Sequence, residues 1–286
     1  MLKKISKILT AFLIIVLSSS AIACTYRANG SVIQDVDLTF SYEDSSSETV
    51  NVDATLNFYK TFAPETCNHL LSIIKSNFYN DTSAVFTDDG KLLVLGGFTY
   101  SEGEYTEKIY SGDAVIGEFA RGNSKFKDAS AGSLVMLREP TTDKNLSKKN
   151  DTGKAMFAIV LEESSYITPN KYTVFGKVDE ETVESLVEMR DALLKDSDGF
   201  IKERYLGDRD EETDLWVVEN GKYKGGIEFY GNPTTNEFKD VNKVVIPEKD
   251  DDGEDNPLYT KLTKTIYLDV YALPTKQISL KNIKIK

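Results

Sequence analysis

The sequence predicts a mainly β domain of the barrel or sandwich class, and three observations support this fold class. Short apolar segments with alternating polar residues recur along the chain, as they do in half-buried strands. Two stretches, 64–75 and 180–194, have the apolar spacing of amphipathic helices. Strands and helices do not alternate regularly, which disfavours a parallel α/β sheet.

The first 23 residues indicate export rather than a part of the fold. Lys3, Lys4 and Lys7 precede an apolar run over residues 8–17, and small residues follow as far as Ala23. This order is typical of a secretory signal peptide. An apolar run of about ten residues is too short for a spanning helix, which needs roughly 20. We therefore expect residues 1–23 to be removed.

The residue that follows the signal pattern, Cys24, allows two interpretations of the cleavage. The Ala-Ile-Ala sequence at 21–23 fits ordinary signal peptidase, whereas a cysteine directly after it fits a lipoprotein box. We favour lipidation of Cys24, because the chain has one other cysteine, Cys67, and a free N-terminal thiol would be a liability outside the cell. A disulfide between the two cysteines is the alternative. Without it, Cys67 is expected to be a small buried side chain on a helix.

Lipidation would place the protein at a membrane, on the cell surface or in a periplasm. Residues 24–30 would then form a tether between the lipid and the folded part. The net charge of −12 becomes −15 when the three lysines of residues 1–23 are removed. So acidic a chain is not expected to have nucleic acid as a partner.

Composition also excludes several kinds of catalytic site. The chain has a single histidine, His69, no cysteine pair at metal spacing and no glycine-rich phosphate loop. A zinc site, a Ser-His-Asp triad or a nucleotide site therefore has almost nothing from which to be built. We expect no cofactor and no metal, and a surface or capping role for His69. The acidic run 248–255 lacks the spacing of a calcium loop, which favours a solvated loop.

The elements follow one another along the chain. Residues 31–42 and 50–59 alternate apolar and polar side chains about a polar turn, which predicts a hairpin. Pro64 is expected to begin a helix that ends near residue 75. Further strands are predicted at 85–86, 92–98, 133–137, 155–161 and 172–178, followed by the second helix over 180–194.

Ordered motifs run through these segments. They are LNFYKTFAPETCNHL at 56–70, Gly96-Gly97, AGSLVM at 131–136, GKAMF at 153–157 and YTVFGKV at 172–178. In this order they closely resemble the motifs of bacterial cyclophilins, which are peptidyl-prolyl cis-trans isomerases. The resemblance covers residues 50–195 well, and residues 277–285 look like the closing strand of the family. It implies a closed, eight-stranded antiparallel barrel, capped by two helices.

The resemblance divides the chain into a barrel over 31–195, a long insert over 196–263, and a return to the barrel with the closing strand over 264–286. The insert is much longer than the corresponding connection in cyclophilins. Short β candidates lie in it at 216–218, 225–230 and 244–246. An insert of this length is expected to carry function or to form a small β subdomain.

Prolyl isomerisation makes modest chemical demands. The peptide bond resists rotation by about 18–20 kcal/mol, because the nitrogen lone pair is delocalised into the carbonyl group. A catalyst needs an apolar pocket for the proline ring and a fixed donor, ideally a guanidinium, that binds the prolyl nitrogen as the bond twists. The scarcity of histidine and cysteine does not count against such an enzyme.

The site residues that the resemblance implies depart from the family pattern. The position of the family's arginine falls on Thr87, and that of its glutamine on Leu95. Arg138 is the candidate for a substitute cation, with a solvated surface charge as the alternative. The implied peptide-binding residues are Leu92, Leu93, Leu95, Leu137, Phe157 and Tyr172.

Two functional classes follow from these observations. The first is an exported, membrane-anchored prolyl isomerase that assists the folding of secreted proteins, with activity weakened by the lost arginine. Its partners would be proline-containing peptides or exported proteins. The second is a catalytically inactive module that keeps the fold and binds a protein or peptide at the cell envelope.

Overall fold

A computed structural model describes residues 32–118, 129–138, 153–167, 172–208, 217–219, 222–264 and 270–286. The predicted signal peptide, Cys24, the tether and Trp216 lie outside these residues. The strands are β1 Ile33–Glu43, β2 Thr49–Tyr59, β3 Ser83–Thr87, β4 Leu92–Ser101, β5 Glu104–Glu107, β6 Ser133–Met136, β7 Phe157–Val160, β8 Thr173–Lys177, β9 Ile201–Tyr205, β10 Val218–Glu219, β11 Lys222–Tyr223, β12 Ile227–Asn232, β13 Glu237–Lys239, β14 Val245–Ile246, β15 Val270–Leu273 and β16 Ile278–Ile285. The helices are α1 Pro64–Lys75, α2 Glu180–Leu193 and α3 Pro257–Lys264.

Eight strands close into an antiparallel barrel, which confirms the predicted fold class. Their hydrogen-bonded order is β3-β16-β1-β2-β8-β6-β7-β4, and β4 pairs with β3 to complete the ring. The predicted first hairpin is present as β1 and β2, which pair from Ile33 opposite Tyr59 to Glu43 opposite Thr49. Closure removes the free edges that an open sheet of these strands would expose.

The barrel interior contains the largest buried apolar cluster, which we call the inner core. All eight barrel strands contribute to it, because alternate residues of a strand face the same side of the sheet. Phe58, Phe86 and Phe175 are among its fully buried members. Helices α1 and α2 pack on the same cluster through their apolar faces, as the helical spacing of the sequence predicts.

The buried cysteine predicted on the first helix is confirmed. Cys67 lies on α1 as a free thiol with no exposed surface. Burial raises the pKa of this thiol to about 12. Its Sγ lies 3.6 Å from the carbonyl oxygen of Phe175. A thiol in this environment is protonated and enclosed, so it acts as a small core side chain.

The N-terminus of α1 is capped by a carboxylate from a distant part of the chain. The residue before the helix, Ala63, has no side chain that can accept a hydrogen bond. Instead, the backbone N–H groups of Glu65 and Thr66 donate to the Glu118 carboxylate at 3.2 and 2.8 Å. A negative charge at a helix N-terminus also interacts favourably with the helix dipole. The backbone N–H of Glu118 donates in turn to Thr173 Oγ1 at 2.8 Å, which ties α1 to β8.

The region predicted as an insert extends the barrel sheet. Strand β9 pairs with β12 on one side and with β15 on the other, and β15 pairs with β3. Strands β13 and β14 continue the sheet outward from β12. The β candidates at 225–230 and 244–246 correspond to β12 and β14. Strands β9 and β13 were not anticipated.

Helix α3 makes a third helix in the described part of the chain, where the sequence predicts two. It packs on a separate apolar cluster, the insert cluster, whose buried members are Phe229, Ile246, Leu262 and Val270. Its apolar residues are few and the helix is short, so the helical pattern was hidden within an acidic and polar region. Within the described ranges, every helix is too short or too polar to cross a membrane.

Removal of the Glu118 cap should destabilise the fold. We expect Glu118→Ala to lower the free energy of unfolding by about 1–2 kcal/mol, because two helix N–H groups lose their acceptor. Urea unfolding followed by circular dichroism measures this change. Glu104→Ala removes the same charge from an exposed position on β5 and serves as the control. Equal destabilisation by both variants would contradict the capping role.

Candidate functional site

The outer side of the barrel wall carries a second buried apolar cluster, which we call the outer cluster. Strands β3, β4, β6 and β7 supply residues that alternate along the chain with those of the inner core. Its buried members are Val85, Leu92, Val94, Phe98, Tyr105, Ala129, Val135, Leu137, Met156, Ala158, Val160, Ile167, Leu206, Tyr271 and Leu273. Tyr271 and Leu273 belong to β15, so the return segment contributes to this side of the barrel.

The six predicted peptide-binding residues are divided between the two sides of the wall. Those on the outer side are Leu92, Leu137 and Tyr172. Those in the inner core are Leu93, Leu95 and Phe157. Neighbouring residues of a strand face opposite sides, so Leu92 and Leu93 cannot line the same surface. A peptide on the outer side of the barrel would approach the side that carries the first group, where Tyr172 is half-buried and Leu92 is fully buried.

Phe157 lies in an aromatic set within the barrel. Its ring centroid is 5.8 Å from that of Tyr79 and 5.7 Å from that of Phe175, and both pairs are edge-to-face. The Tyr79 hydroxyl donates to the carbonyl oxygen of Ala155 at 2.7 Å, which satisfies the polar end of this buried ring. Phe157 therefore packs in the inner core, and the pocket role that the resemblance implies stays a prediction.

The residue that reaches the outer side at this point is Met156, which the sequence reasoning missed. A Cβ atom on Gly97 would lie 2.3 Å from Met156 Sδ, so this contact depends on the absence of a side chain there. At Gly96, with φ of +86°, a Cβ atom would lie 2.6 Å from the carbonyl oxygen of Ala155. The glycine pair thus allows β4 to approach the segment before β7 closely. Because neighbouring residues of a strand face opposite sides, the side chain before Phe157 is expected on the other side of the wall. This alternation was the sequence signal that could have identified Met156.

The position predicted for the family's arginine is enclosed. Thr87 is 1% exposed and pairs with Tyr271 of β15. Its hydroxyl donates to the carbonyl oxygen of Val270 at 2.7 Å. The Tyr271 ring packs on Phe98 with 5.1 Å between centroids. Strand β15 therefore satisfies and covers the side chain at this position, and Leu95, at the glutamine position, lies in the inner core.

Arg138 lies on the outer side together with other predicted residues. Its guanidinium carbon is 5.0 Å from the ring centroid of Tyr172, which is a cation–π distance. The backbone N–H of Leu137 donates to the carbonyl oxygen of Met156 at 3.0 Å. The structure thus brings together Arg138, Leu137, Met156 and Tyr172, at the end of β6 and near the starts of β7 and β8.

The other two arginines of the described part form ion pairs with carboxylates. Arg190 on α2 pairs with Glu162, and also with Asp191 at 2.8 Å. Arg204 on β9 pairs with Glu228, and with Glu107 at 3.0 Å. These pairs join α2 and β9 to neighbouring segments, which is a structural role.

The single histidine also has a structural role. His69 Nε2 lies 2.6 Å from the carbonyl oxygen of Lys154, and its ring meets Tyr110 edge-to-face at 6.0 Å. Burial lowers the pKa of His69 from its ordinary value. The neutral ring therefore joins α1 to the segment before β7. The sequence led us to expect a surface or capping role for His69. In the structure its half-buried ring instead connects two segments of the chain.

Comparisons with known proteins find a matching family and similar solved structures. A family model described as cyclophilin type peptidyl-prolyl cis-trans isomerase/CLD matches residues 46–204. Similar solved structures include a cyclophilin type peptidyl-prolyl cis-trans isomerase of Cryptosporidium parvum, at 19% identity and a TM-score of 0.36, with 54% of this chain and 83% of that chain covered. A structure of that protein in the presence of the dipeptide Ala-Pro has 19% identity and a TM-score of 0.34, with 52% and 84% covered. Among curated proteins, none matches this chain.

The interior position of Phe157 can be tested by truncation. We expect Phe157→Ala to lower the free energy of unfolding by about 3–5 kcal/mol, because a cavity would open between Tyr79 and Phe175. Chemical unfolding followed by tyrosine fluorescence measures the loss. A loss below about 1 kcal/mol, the range of exposed positions, would contradict the interior placement.

Proposed function

The chain belongs to the cyclophilin-type peptidyl-prolyl cis-trans isomerase family, and on that premise we propose that it is an exported, membrane-anchored isomerase of weak activity that assists the folding of secreted proteins. The observation that supports this proposal best is the Arg138 guanidinium, which lies over the Tyr172 ring on the outer side of the barrel. The substrates would be X-Pro segments of peptides or exported proteins.

Arg138 would act as the donor to the prolyl nitrogen. As the C–N bond twists, conjugation is lost and the lone pair becomes localised on that nitrogen. A guanidinium N–H directed at the nitrogen stabilises the twisted state more than the planar one, and this difference lowers the barrier. No covalent bond is made or broken, so neither a nucleophile nor a cofactor is needed.

The neighbours of Arg138 support such a role. The Tyr172 ring restricts the guanidinium plane, and a donor with a fixed position loses less entropy on binding. Leu137 and Met156, which are 4% and 5% exposed, would supply apolar contact of the kind that a proline ring requires. Leu92 of the same cluster is fully buried and would support this site from beneath.

Weak activity follows from the two positions that lack the family's polar residues. Thr87 offers a hydroxyl in place of a guanidinium, and that hydroxyl is already donated to Val270. Leu95 offers no hydrogen bond. Loss of one preorganised donor costs about 10²–10³ in rate at comparable electrostatic sites. Arg138 would have to recover part of this lost rate, and it would approach the prolyl nitrogen from a different direction than the family's arginine.

Export and anchoring are supported by the N-terminal sequence. Residues 1–23 have the basic, apolar and small-residue order of a signal peptide, and Cys24 follows directly. Acylation of Cys24 would hold the barrel at the cell surface or in a periplasm, where newly exported chains fold.

The second candidate function is a catalytically inactive module that binds a protein or peptide partner at the cell envelope. The observation that favours it is the enclosure of Thr87 by β15, since this arrangement leaves no room for a catalytic side chain at the usual position. This module would use the apolar outer surface for binding and would need no guanidinium donor to the prolyl nitrogen.

An isomerisation assay separates the two candidates. We expect the wild type to accelerate exchange of X-Pro peptides, and Arg138→Ala to reduce this acceleration by about tenfold or more, because the donor is lost. Two-dimensional exchange NMR measures the rate, and titration of the same peptide measures its binding. Lys243→Ala, which removes an exposed positive charge from the insert, is the control. Equal rates in the wild type and Arg138→Ala would remove Arg138 from the mechanism, and binding without acceleration would select the second candidate.

The lipid anchor has its own test. In a bacterial host that processes lipoproteins, we expect the wild type to enter the detergent phase on phase separation and Cys24→Ser to stay in the aqueous phase. Mass spectrometry of the mature N-terminus measures the added acyl mass. An unmodified wild-type Cys24 would overturn the anchor and leave ordinary signal-peptidase cleavage.

A further inference from the structure

A cavity of about 300 Å³ lies in the sheet extension formed by the insert. Strands β9, β12 and β13 form one side of it, and α3 forms another. None of the predicted peptide-binding residues lines this cavity. Its volume is at the lower end of the range for ligand pockets, about 300–1,000 Å³, which suits a side chain or a small molecule.

A carboxyl group, that of Glu203, lies in the wall of this cavity, among apolar side chains and the neutral polar side chains of Asn232, Asn236 and Thr263. Glu203 faces the same side of β9 as Ile201, which is in the inner core, and Tyr205, which packs on the insert cluster. The residue is half-buried, and its side chain lies against Gly231, where a Cβ atom would come within 2.4 Å of Oε2. Within the described part of the chain, no hydrogen bond or ion pair satisfies this carboxyl group.

The basic residues nearest to Glu203 are engaged by other carboxylates. Lys202 and Arg204, on either side of it in β9, both bind Glu228 on the opposite face of the sheet. Lys261 of α3 binds Asp208 at 2.8 Å. The chain therefore places a carboxyl group in a cavity while adjacent cations bind other carboxylates, which leaves Glu203 available to a ligand.

A second carboxylate, Asp89, lies at the exposed rim of the cavity on the turn between β3 and β4. Burial and the charge of Asp88 raise the pKa of Asp89, whereas Lys91 and Lys195 lower it. Burial and the charge of Asp89 together raise the pKa of Glu203 to about 8. A cation between the two carboxyl groups would relieve both burial and repulsion.

Three aromatic side chains contribute to the remaining walls, together with aliphatic and neutral polar residues. Phe229, Phe238 and Tyr259 line the cavity, and the faces of such rings attract organic cations. Within the described residues, no group of three or more His, Cys, Asp or Glu side chains has the arrangement of a metal site. Two carboxyl groups beside aromatic rings suit an ammonium or guanidinium group better than a calcium ion, which prefers six to eight oxygen ligands.

We propose that the cavity binds an organic cation, a primary ammonium or guanidinium group, between Glu203 and Asp89 and against the aromatic walls. The group would come from a basic side chain of a bound protein or from a small free amine. The acidic charge of the whole chain would attract either source. This site is separate from the Arg138 surface, so its test does not depend on isomerase activity.

Titration with paired probes tests the proposal. Chemical-shift changes in the ¹⁵N-labelled protein would be followed with n-butylamine and with n-butanol, which share a chain length and differ in charge. We expect binding of the amine alone, with shifts confined to residues that line the cavity, on β9, β12, β13, β15, α3 and the turn at Asp89. Affinity should rise about tenfold between pH 7 and pH 9, because Glu203 must lose its proton while the amine keeps its charge.

Matched variants identify the carboxyl groups. Glu203→Gln keeps the shape, and we expect it to weaken amine binding by about tenfold or more and to remove most of the pH dependence. Asp89→Asn, at the rim, should weaken binding less. Glu237→Gln removes a carboxylate of the neighbouring strand β13 that does not line the cavity, and it should bind as the wild type does. Thermal unfolding of each variant verifies that it is folded.

Two outcomes would overturn the proposal. One is that the wild type binds butylamine and butanol equally, or binds neither of them. The other is unchanged amine affinity in folded Glu203→Gln. A peptide with one lysine, compared with the same peptide containing norleucine, then distinguishes the sources. Tighter binding of the lysine peptide than of butylamine would identify a protein side chain as the ligand, and the reverse order a free amine.

Discussion

The two-residue period of the strands, imposed on a closed barrel wall, is the constraint on which the rest of the structure depends. In a closed wall each strand residue faces either the inner core or the outside, with no edge at which the register can slip. Leu92 and Leu93 are thus separated by the wall although they are adjacent in sequence, and so are Met156 and Phe157. The glycine pair at 96–97 allows close approach where side chains would collide. The composition of any surface site follows from this assignment of faces.

The segments after α2 modify the barrel through the pairing of β15, in the return segment, with β3. Because β15 pairs with β3, the hydroxyl of Thr87 is satisfied by Val270, and the usual catalytic position is covered by the chain itself. The same sheet extension brings β9 beside β15, with Ile201 directed into the inner core and Glu203 into the cavity. One addition to the fold therefore accounts both for the altered site and for the new cavity.

The chemistry of the outer surface and that of the cavity are complementary. The first presents a guanidinium over an aromatic ring, beside apolar side chains, and the second presents carboxyl groups beside aromatic rings. The family establishes the fold, whereas the proposed activities depend on the residues of the two sites.

The sequence by itself determined the barrel, its first hairpin, helices α1 and α2, and the membership of the family, because alternation, helical spacing and ordered motifs are local signals. It also identified Arg138, Leu137 and Tyr172, which the structure brings together. Only the tertiary structure decided which side of the wall is faced by Leu93, Leu95 and Phe157. Motif alignment fixes the position of a residue along a strand and does not fix the side to which its side chain points. The Glu118 cap of α1 and the Glu203 cavity join residues that are far apart in sequence, so these contacts exist only in the folded chain.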